Sequence, residues 1–470
     1  MRARNRKTGS LRPRRIEEES LYRAVWRWHF IAGLIVLPFL VVLATTGALY
    51  LFSSEIDALV YRAWDRPSSP GAPPLPLQRL IEDAERQTGG RVMQALVPDD
   101  SRSVRMTVHS RVESDTIFVD PATGAVVGST PFGGVMQVVR RIHSLKYFGS
   151  WASWLMEAAA GWAIVLVGTG WYLWWPRGRE SGVVTIRGSV RSRTFWRDLH
   201  AVTGAFAGAI VVFLAVTGMP WSDVWGEKVQ TLATTHGLGR PDAPAEVVPD
   251  WQLENVIPGA DEHAHHAAAP ETKPGATDGV PWALEKAIPP ESQGASGKAI
   301  DADAAVAAVE LAGLRKPFSL TLPQGLRGAY AATYSPDRVQ DIRVVYIDQY
   351  SGAVLDDVGY ARFGAAAKAI EWGIAVHQGQ QYGSVNRYVM LAGCIAVIAL
   401  AISSVTMWWK RRRHGSLGMP PRPQRKASLW IVAAIVLPVA VLYPLVGTSL
   451  VVAYLIGRAI AWGRTPGASG

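Results

Sequence analysis

Four histidines lie at the edges of long apolar segments: His29, His143, His200 and His377. The first and third are each followed by glycine at plus 4 and by Thr-Gly at plus 17 and 18. The second and fourth are each followed by an aromatic residue and glycine at plus 5 and 6, and by Trp-Trp at plus 31 and 32. Ionisable groups at membrane depth are costly and tend to be functional, and imidazole is a common metal ligand. The spacing therefore indicates an internal duplication that holds a metal cofactor between paired histidines.

Five segments are apolar over about the 20 residues that a helix needs to cross a bilayer. They are Phe30–Phe52, Trp151–Trp175, Ala201–Trp221, Tyr388–Trp409 and Trp430–Ile456. The fourth contains Cys394, the one cysteine of the chain, so an internal disulfide or a cysteine-held iron–sulfur cluster is excluded. The predicted fold class is a membrane α-helical bundle of five spans, in which the first four carry the duplicated histidines.

Basic residues cluster before residue 20, between 177 and 197, and between 410 and 426. By the positive-inside rule all three clusters are cytoplasmic. The N-terminus is then cytoplasmic and the two large loops are periplasmic, in the inner membrane of a bacterium. The formal net charge of +10 is mostly this topology signal, so we expect the lipid bilayer, and no nucleic acid, as a partner.

The two outer loops repeat one pattern, which predicts a small α+β module in each. A helical stretch is followed by three strand-like runs, a turn and a last short run. The second loop also carries an insertion, 241–297, rich in Ala, Pro, Gly and Glu, which we expect to be weakly ordered. Its histidines, His263, His265 and His266, are either a loose metal-binding cluster or a solvated accident of composition.

The resulting domain organisation has eleven segments. They are the basic cytoplasmic N-terminus 1–20, span one 21–53, the first periplasmic module 54–140, span two 141–176, a cytoplasmic basic loop 177–195, span three 196–221, the second periplasmic module 222–375 with its insertion 241–297, span four 376–410, a cytoplasmic basic loop 411–428, span five 429–457 and the tail 458–470.

Depth in the membrane pairs the histidines. His29 and His200 are near the cytoplasmic ends of their spans, whereas His143 and His377 are near the outer ends. Two neutral imidazoles on facing helices can bind one haem iron axially. The four histidines therefore predict two bis-His haems, one near each membrane surface. The chain has no C-x-x-C-H motif for covalent attachment of haem.

Gly33 and Gly204 lie one helical turn beyond His29 and His200 and share the ligand face. A glycine there leaves room for a flat macrocycle, and the alternative is that it permits close helix packing. Arg177 and Arg411, which follow the Trp-Trp pairs, are explained by topology, with pairing to haem propionates as the alternative.

The order of these motifs resembles the PepSY-associated transmembrane family over roughly residues 20–415. The motifs are a His-x-x-x-Gly span ending in Thr-Gly, a module with a D-x-x-[ST]-G-x-[VL] turn, and a His-x-x-x-x-[FY]-Gly span ending in Trp-Trp. That family includes inner-membrane reductases of ferric siderophores, which carry two b-type haems. The resemblance implies that the outer loops are PepSY-like modules and that the chain is a transmembrane ferric reductase. The long insertion and the fifth span depart from the pattern.

The functional expectation is transfer of electrons from the cytoplasmic or membrane side to a periplasmic acceptor, with reduction of ferric siderophore to release Fe(II). No G-x-G-x-x-G motif follows a strand and there is no P-loop, so a separate donor is expected, either a quinol or a cytoplasmic reductase. Two alternatives remain. One is a cytochrome b that serves another acceptor, copper or a redox protein, and the other is a non-redox PepSY sensor or peptidase regulator.

Overall fold

A computed structural model describes most of the chain. The described residues are 13–66, 71–99, 102–110, 114–177, 183–236, 238–239, 281–284, 289–293, 298–412, 418–421 and 430–462. The chain divides into two compact units. The helical unit comprises Met1–Leu49, Arg141–Lys228 and Tyr388–Gly470, and the sheet unit comprises Tyr50–Arg140 and Val229–Arg387.

Long helices dominate the segments that were predicted to cross the membrane. The helices of the described chain are α1 Pro13–Tyr50, α2 Ser53–Val60, α3 Leu77–Thr88, α4 Gly134–His143, α5 Ser150–Trp174, α6 Arg193–Gly218, α7 Trp225–Thr235, α8 Ala302–Leu311, α9 Ala365–His377, α10 Gly383–Arg411, α11 Trp430–Leu442 and α12 Pro444–Trp462. Among the described residues, four helices are long and apolar enough to span a membrane: Glu19–Tyr50, Ser150–Trp174, Arg193–Trp221 and Gly383–Arg411. The first four predicted spans are therefore helical, and the chain is a multi-pass membrane protein.

The fifth predicted span is not one continuous helix. The segment Trp430–Ile456 forms two shorter apolar helices, α11 and α12, which are interrupted at Tyr443. Pro444 explains the interruption, because proline disfavours helical geometry in the residue before it but suits the first position of a new helix. Both helices pack against α5. The chain turns at Tyr443, whose side chain is buried in the core of the helical unit.

The sheet unit contains eight antiparallel strands within the described residues. They are β1 Arg91–Val97, β2 Val104–His109, β3 Ser114–Val119, β4 Val126–Pro131, β5 Phe318–Thr321, β6 Ala329–Tyr334, β7 Arg343–Asp348 and β8 Val354–Gly359. Each predicted module therefore has its helix and its four strands in the expected order, α3 with β1 to β4 and α8 with β5 to β8.

The two modules are not separate, which corrects the expectation of two small domains. All eight strands form one sheet in the order β4-β3-β2-β1-β5-β6-β7-β8. The first strands of the two modules pair in the middle, with Gln94 opposite Thr321 and Val97 opposite Phe318. If the modules were separate, β1 and β5 would each present an unpaired edge, and exposed edges promote aggregation. Pairing them removes both edges at once.

The helices α3 and α8 share one hydrophobic core with the sheet, and each caps the other. The carboxylate of Asp303 accepts hydrogen bonds from the backbone N–H groups of Leu77 and Gln78, at 2.7 and 3.0 Å. In return, the side-chain oxygen of Gln78 accepts from the N–H of Ala302 at 3.1 Å. These bonds satisfy N–H groups that the first turn of a helix leaves without partners. Reciprocal helix capping and strand pairing thus hold the two modules together.

The predicted D-x-x-[ST]-G turns are present in both modules. The carboxylate of Asp120 accepts from the N–H groups of Ala122 and Thr123, and Asp348 accepts from Tyr350 and Ser351 in the same way. Gly124 and Gly352 have φ of 73° and 71°, the left-handed conformation that glycine adopts without strain. The repeat therefore extends to the backbone of these turns.

Replacing Asp348 by alanine is expected to lower the free energy of unfolding of the sheet unit by about 2 kcal/mol, because buried N–H groups lose their acceptor. Asp348 is 1% exposed. Burial raises the pKa of its carboxyl, but hydrogen bonds from Ser351, Tyr350 and Gln293 outweigh this and leave the pKa below its ordinary value. The stabilisation is therefore present above the ordinary pKa and is lost as the pH falls through the lowered one. Denaturant titration of the full-length protein at neutral and acidic pH measures both effects.

The exposed Asp341 provides the matched control, and Asp341→Ala is expected to change the free energy of unfolding by less than about 0.5 kcal/mol. An equal decrease in the free energy of unfolding in the two variants would show that the hydrogen bonds of the turn do not stabilise the fold.

The end of the insertion is ordered, contrary to the expectation for the whole segment. Trp282 and Leu284 are buried, at 4% and 6% exposure, and the carbonyl of Trp282 accepts from Gln230 at 3.0 Å. Ser292 is also buried and donates to the carbonyl of Gly328. The rest of the insertion, including His263, His265 and His266, lies outside the described residues. The two described stretches thus belong to the folded sheet unit.

Candidate cofactor site

The first predicted histidine pair is present in the helical unit. His29 on α1 and His200 on α6 face each other with ring centres 6.3 Å apart and ring planes at 85°. The helix α6 begins at Arg193, seven residues before His200, and the hydroxyl of the preceding Ser192 caps it by accepting from the N–H of Phe195. Both imidazoles are only part-buried by protein. The predicted pairing of His29 with His200 therefore agrees with the geometry.

The distance between the two ring centres is compatible with a metal bound between the imidazoles. A ligating nitrogen lies about 2.0 Å from its metal and about 1.15 Å from the centre of its own ring, so two imidazoles on opposite sides of one metal have ring centres about 6.3 Å apart. The observed 6.3 Å equals this value. A direct hydrogen bond between the two rings would need one nitrogen to donate and the other to accept. The Nδ1 atoms of both rings already have hydroxyl partners, so they are not available for such a bond.

Those partners are hydroxyl groups on neighbouring helices. Nδ1 of His29 lies 2.9 Å from Oγ1 of Thr169 on α5. Nδ1 of His200 lies 3.1 Å from Oγ of Ser403 and 3.2 Å from Oγ of Ser404, both on α10. Four helices therefore position the two imidazoles: α1 and α6 carry them, and α5 and α10 orient them.

The hydrogen bonds from these hydroxyls to the backbone also favour one tautomer of each imidazole, that is, one position of its proton. The hydroxyl of Thr169 donates to the carbonyl of Val165 at 2.8 Å, and that of Ser403 donates to Leu400 at 3.0 Å. A hydroxyl has one hydrogen to give, so while it donates to the carbonyl it can only accept from the imidazole, and this favours the tautomer with the proton on Nδ1. Each Nε2 then keeps a free lone pair, which is the form that binds a metal.

The same arrangement is found at His143. Its Nδ1 lies 2.8 Å from Oγ1 of Thr46 on α1, and the hydroxyl of Thr46 donates to the carbonyl of Val42 at 2.5 Å. By the same reasoning His143 has its proton on Nδ1 and a free lone pair on Nε2. Three of the four predicted ligands are therefore held in a metal-binding tautomer by a hydroxyl.

His377 ends helix α9 in the sheet unit. Its predicted pairing with His143, which belongs to the helical unit, stays a prediction. The two residues occupy equivalent places in the chain, because each is the last residue of a helix that precedes a long apolar one.

This arrangement corrects the expected starts of spans two and four. We expected the spans to begin at 141 and 376, but the long helices begin at Ser150 and Gly383. After His143 the chain passes through Leu145, in a left-handed conformation, and a 3-10 turn at Lys146–Phe148 before α5 begins. The aromatic residue and glycine at plus 5 and 6 therefore mark a helix break and are not part of the span.

The glycines beside the first pair are not explained by close packing of protein. A Cβ atom added to Gly33 would lie 3.9 Å from Leu166, and one added to Gly204 would lie 3.5 Å from Leu400, both ordinary contacts. In contrast, a Cβ at Gly161 would come within 2.4 Å of Val446. Helix packing accounts for Gly161, but it leaves Gly33 and Gly204 unexplained. Their positions favour clearance for a bound group.

Sequence reasoning missed the hydroxyls, although their spacing repeats. Thr169 lies 26 residues after His143, and Ser403 lies 26 residues after His377. Thr46 belongs to the repeated Thr-Gly motif, which at the level of sequence indicates only duplication. The spacing from histidine to hydroxyl was thus visible in both halves of the sequence. A hydroxyl in a membrane helix commonly bonds its own backbone, however, and its contact with a histidine is evident only when the helices are packed.

Replacing Thr169 by valine is expected to raise the dissociation rate of the haem predicted between His29 and His200 by about tenfold, because loss of an orienting hydrogen bond weakens a metal ligand by about 10–100-fold. The shape of the side chain is kept. Transfer of haem to an excess of apomyoglobin measures the rate.

The matched control is Thr406→Val on α10. Thr406 donates to its own helix, to Ile402 at 2.8 Å, in the way that Thr169 does, but no histidine contact is found for it among the described residues. The prediction is wrong if both variants release haem at the same rate.

A bare metal ion usually takes three or more protein ligands. Among the residues that the structure describes, no group of three or more His, Cys, Asp or Glu side chains could hold one. A pair of imidazoles with free Nε2 atoms instead fits a metal whose remaining ligands come with it, as in a macrocycle. The fold and the site thus define a multi-pass membrane protein with paired imidazoles inside its helical bundle.

The chain belongs to the PepSY-associated TM region family, whose pattern it matches over residues 26–411. This match confirms the family resemblance drawn from the sequence motifs. The comparison with curated proteins gave no significant match.

Proposed function

We propose that this protein is a di-haem b electron-transfer protein of the bacterial inner membrane that reduces ferric siderophores on the periplasmic side. The observation that carries the proposal is the His29–His200 pair, with ring centres 6.3 Å apart and both Nδ1 atoms bonded to hydroxyls. His29 and His200 would hold a haem through its iron. The second haem is assigned to His143 and His377 by the internal duplication.

The residues around the pair fit a planar group. Gly33 and Gly204 add no side chain of their own to the ligand face, and the side chains of Leu166 and Leu400 lie nearest to them. When bound, haem would supply reversible one-electron transfer. The protein contributes the axial ligands, their orientation and an apolar surrounding that excludes water.

The reaction needs one electron for each iron. Siderophore oxygen donors hold hard Fe(III) much more tightly than Fe(II), so addition of one electron to the ferric complex gives Fe(II) and the free siderophore. The electron comes from a separate donor, either a quinol in the membrane or a cytoplasmic reductase.

The first test is the absorption spectrum of the purified protein, oxidised and then reduced with dithionite, with the haem quantified as pyridine haemochrome. We expect about two b-type haems per chain. A haem-free protein from haem-replete cells would overturn the proposal in favour of a non-redox PepSY sensor. If haem is present, reduction assays with ferric siderophores, copper and redox proteins identify the acceptor. Reduction of copper or of a redox protein, without reduction of ferric siderophores, would support the alternative of a cytochrome b that serves another acceptor.

A further inference from the structure

Two donor atoms in the guanidinium of Arg411, the last residue of α10, are buried without hydrogen bonds. Its Nε and Nη2 atoms have no partner among the residues that the structure describes. A buried donor without an acceptor is costly, and more so when it is charged. Within the described residues, Arg411 therefore keeps two buried donors available for an added acceptor.

Aromatic rings hold this guanidinium beside the first histidine pair. It lies 4.6 Å from the ring centre of Phe30 and 5.3 Å from that of Trp26. Phe30 is the residue after His29, and Trp26 lies one turn before His29 on the same helix. The stacking fixes the plane of the guanidinium, which is a rigid fork suited to a carboxylate.

The helix α10 also directs Arg411 towards His200. Arg411 follows Ser404, a hydroxyl neighbour of His200, by seven residues, which places the two side chains on one face about 10 Å apart along the axis. Helical Cα–Cβ bonds tilt towards the N-terminus, which from Arg411 is the direction of Ser404.

In the part of the chain that the structure describes, the buried Nε and Nη2 atoms of Arg411 pair with no carboxylate. Arg193, at the start of α6, is a second cation that acts on it electrostatically. The buried carboxylate of α6, Asp198, already accepts from Arg187 and Arg197 at 2.8 and 2.6 Å. The local field thus favours an added anion.

The duplication provides an internal comparison. Arg177 and Arg411 both lie 34 residues after the second histidine of their half. Arg177 has a protein acceptor, because its Nη2 donates to the carbonyl of Tyr172 at 2.9 Å. The repeat alone predicts the same role for both arginines, but their contacts show that only Arg411 of these two has buried donors left without an acceptor.

We propose that Arg411 binds a carboxylate of the group held between His29 and His200, which for haem is a propionate. This inference rests on the proposed function. Arg411 is a positioning residue for the group, anchoring its edge while the two imidazoles bind its centre.

The test uses the full-length protein in nanodiscs, produced under haem limitation and then loaded with haem or with haem dimethyl ester, in which the propionates carry no charge. In the wild type, we expect the ester to dissociate from this pair about tenfold faster than haem, equivalent to about 1.4 kcal/mol. In Arg411→Met, we expect haem to dissociate about tenfold faster than from the wild type, and the ester to show no further loss. Haem in the Arg411→Met variant should also have a lower midpoint potential, because a cation near the iron favours its reduced state.

Two variants control for folding and for general loss of charge. Arg412→Met removes the adjacent arginine, which stacks on Trp408 and Trp409, and it should leave haem dissociation unchanged. Arg411→Lys should restore part of the retention, since lysine supplies charge without the planar fork. The second haem reports whether each variant is folded.

Three results would overturn the inference. One is an ester penalty of equal size in the wild type and Arg411→Met. Another is a loss in Arg411→Met that appears only with anionic lipid, which would assign the guanidinium to a lipid phosphate. The third is unchanged haem retention and potential. A wild-type protein without haem would instead defeat the proposed function itself.

Discussion

Replacing His200 by alanine is expected to remove one of the two haems and to halve the pyridine haemochrome yield per chain. His200 and His29 are the two axial ligands of one proposed site, and loss of either leaves a single imidazole and a gap in the apolar bundle. His29→Ala should have the same effect. Absorption spectra and electron paramagnetic resonance should show one low-spin haem remaining in each variant.

The matched control is His109→Ala. His109 is an exposed histidine of the sheet unit that bonds to Ser114, so its removal should leave both haems in place. A full complement of two haems in both His29→Ala and His200→Ala would contradict the assignment of this pair.

Replacing His143 by alanine is expected to remove the other haem and to lower reduction of an acceptor added on the periplasmic side by about a hundredfold or more, as loss of a metal ligand exceeds the effect of its supporting bonds. The His29–His200 haem should remain reducible by dithionite, because its ligands and hydroxyl partners are untouched. His377→Ala should behave in the same way. Haem content and acceptor reduction by the purified variants provide the two measurements.

Thr46→Val distinguishes loss of the ligand from a loss of folding. It removes the hydroxyl that orients His143 but keeps the ligand, so it should retain both haems and weaken the hold on one. Unchanged haem stoichiometry in both His143→Ala and His377→Ala would show that these residues do not form the second pair.

The duplication made much of the site predictable from the sequence. The pairing of His29 with His200 followed from their depth in two equivalent spans, and the observed ring separation agrees with it. Gly33 and Gly204 could be placed on the ligand face from helical periodicity alone. The orienting hydroxyls of Thr169 and Ser403 could not, because they lie on helices distant in the chain and only packing reveals which ring they face.

The errors in the fold have local causes. Hydropathy treated Trp430–Ile456 as one span because Pro444 interrupts the helix without interrupting the apolar run. The two outer modules were assigned correctly strand by strand, but a strand pattern does not show which edges will pair. The burial of Trp282 at the end of the insertion was not predicted, because the composition of the whole segment gives no information about single residues.

The pairing of β1 with β5 has a consequence for synthesis of the protein. When the first module leaves the ribosome, β1 has a partner only on the β2 side, and the strand that will cover its other edge has not yet been made. Two further long helices, α5 and α6, are translated in between. Until β5 is made, the first module therefore exposes an unpaired strand edge, and we expect either half, expressed alone, to be prone to aggregate.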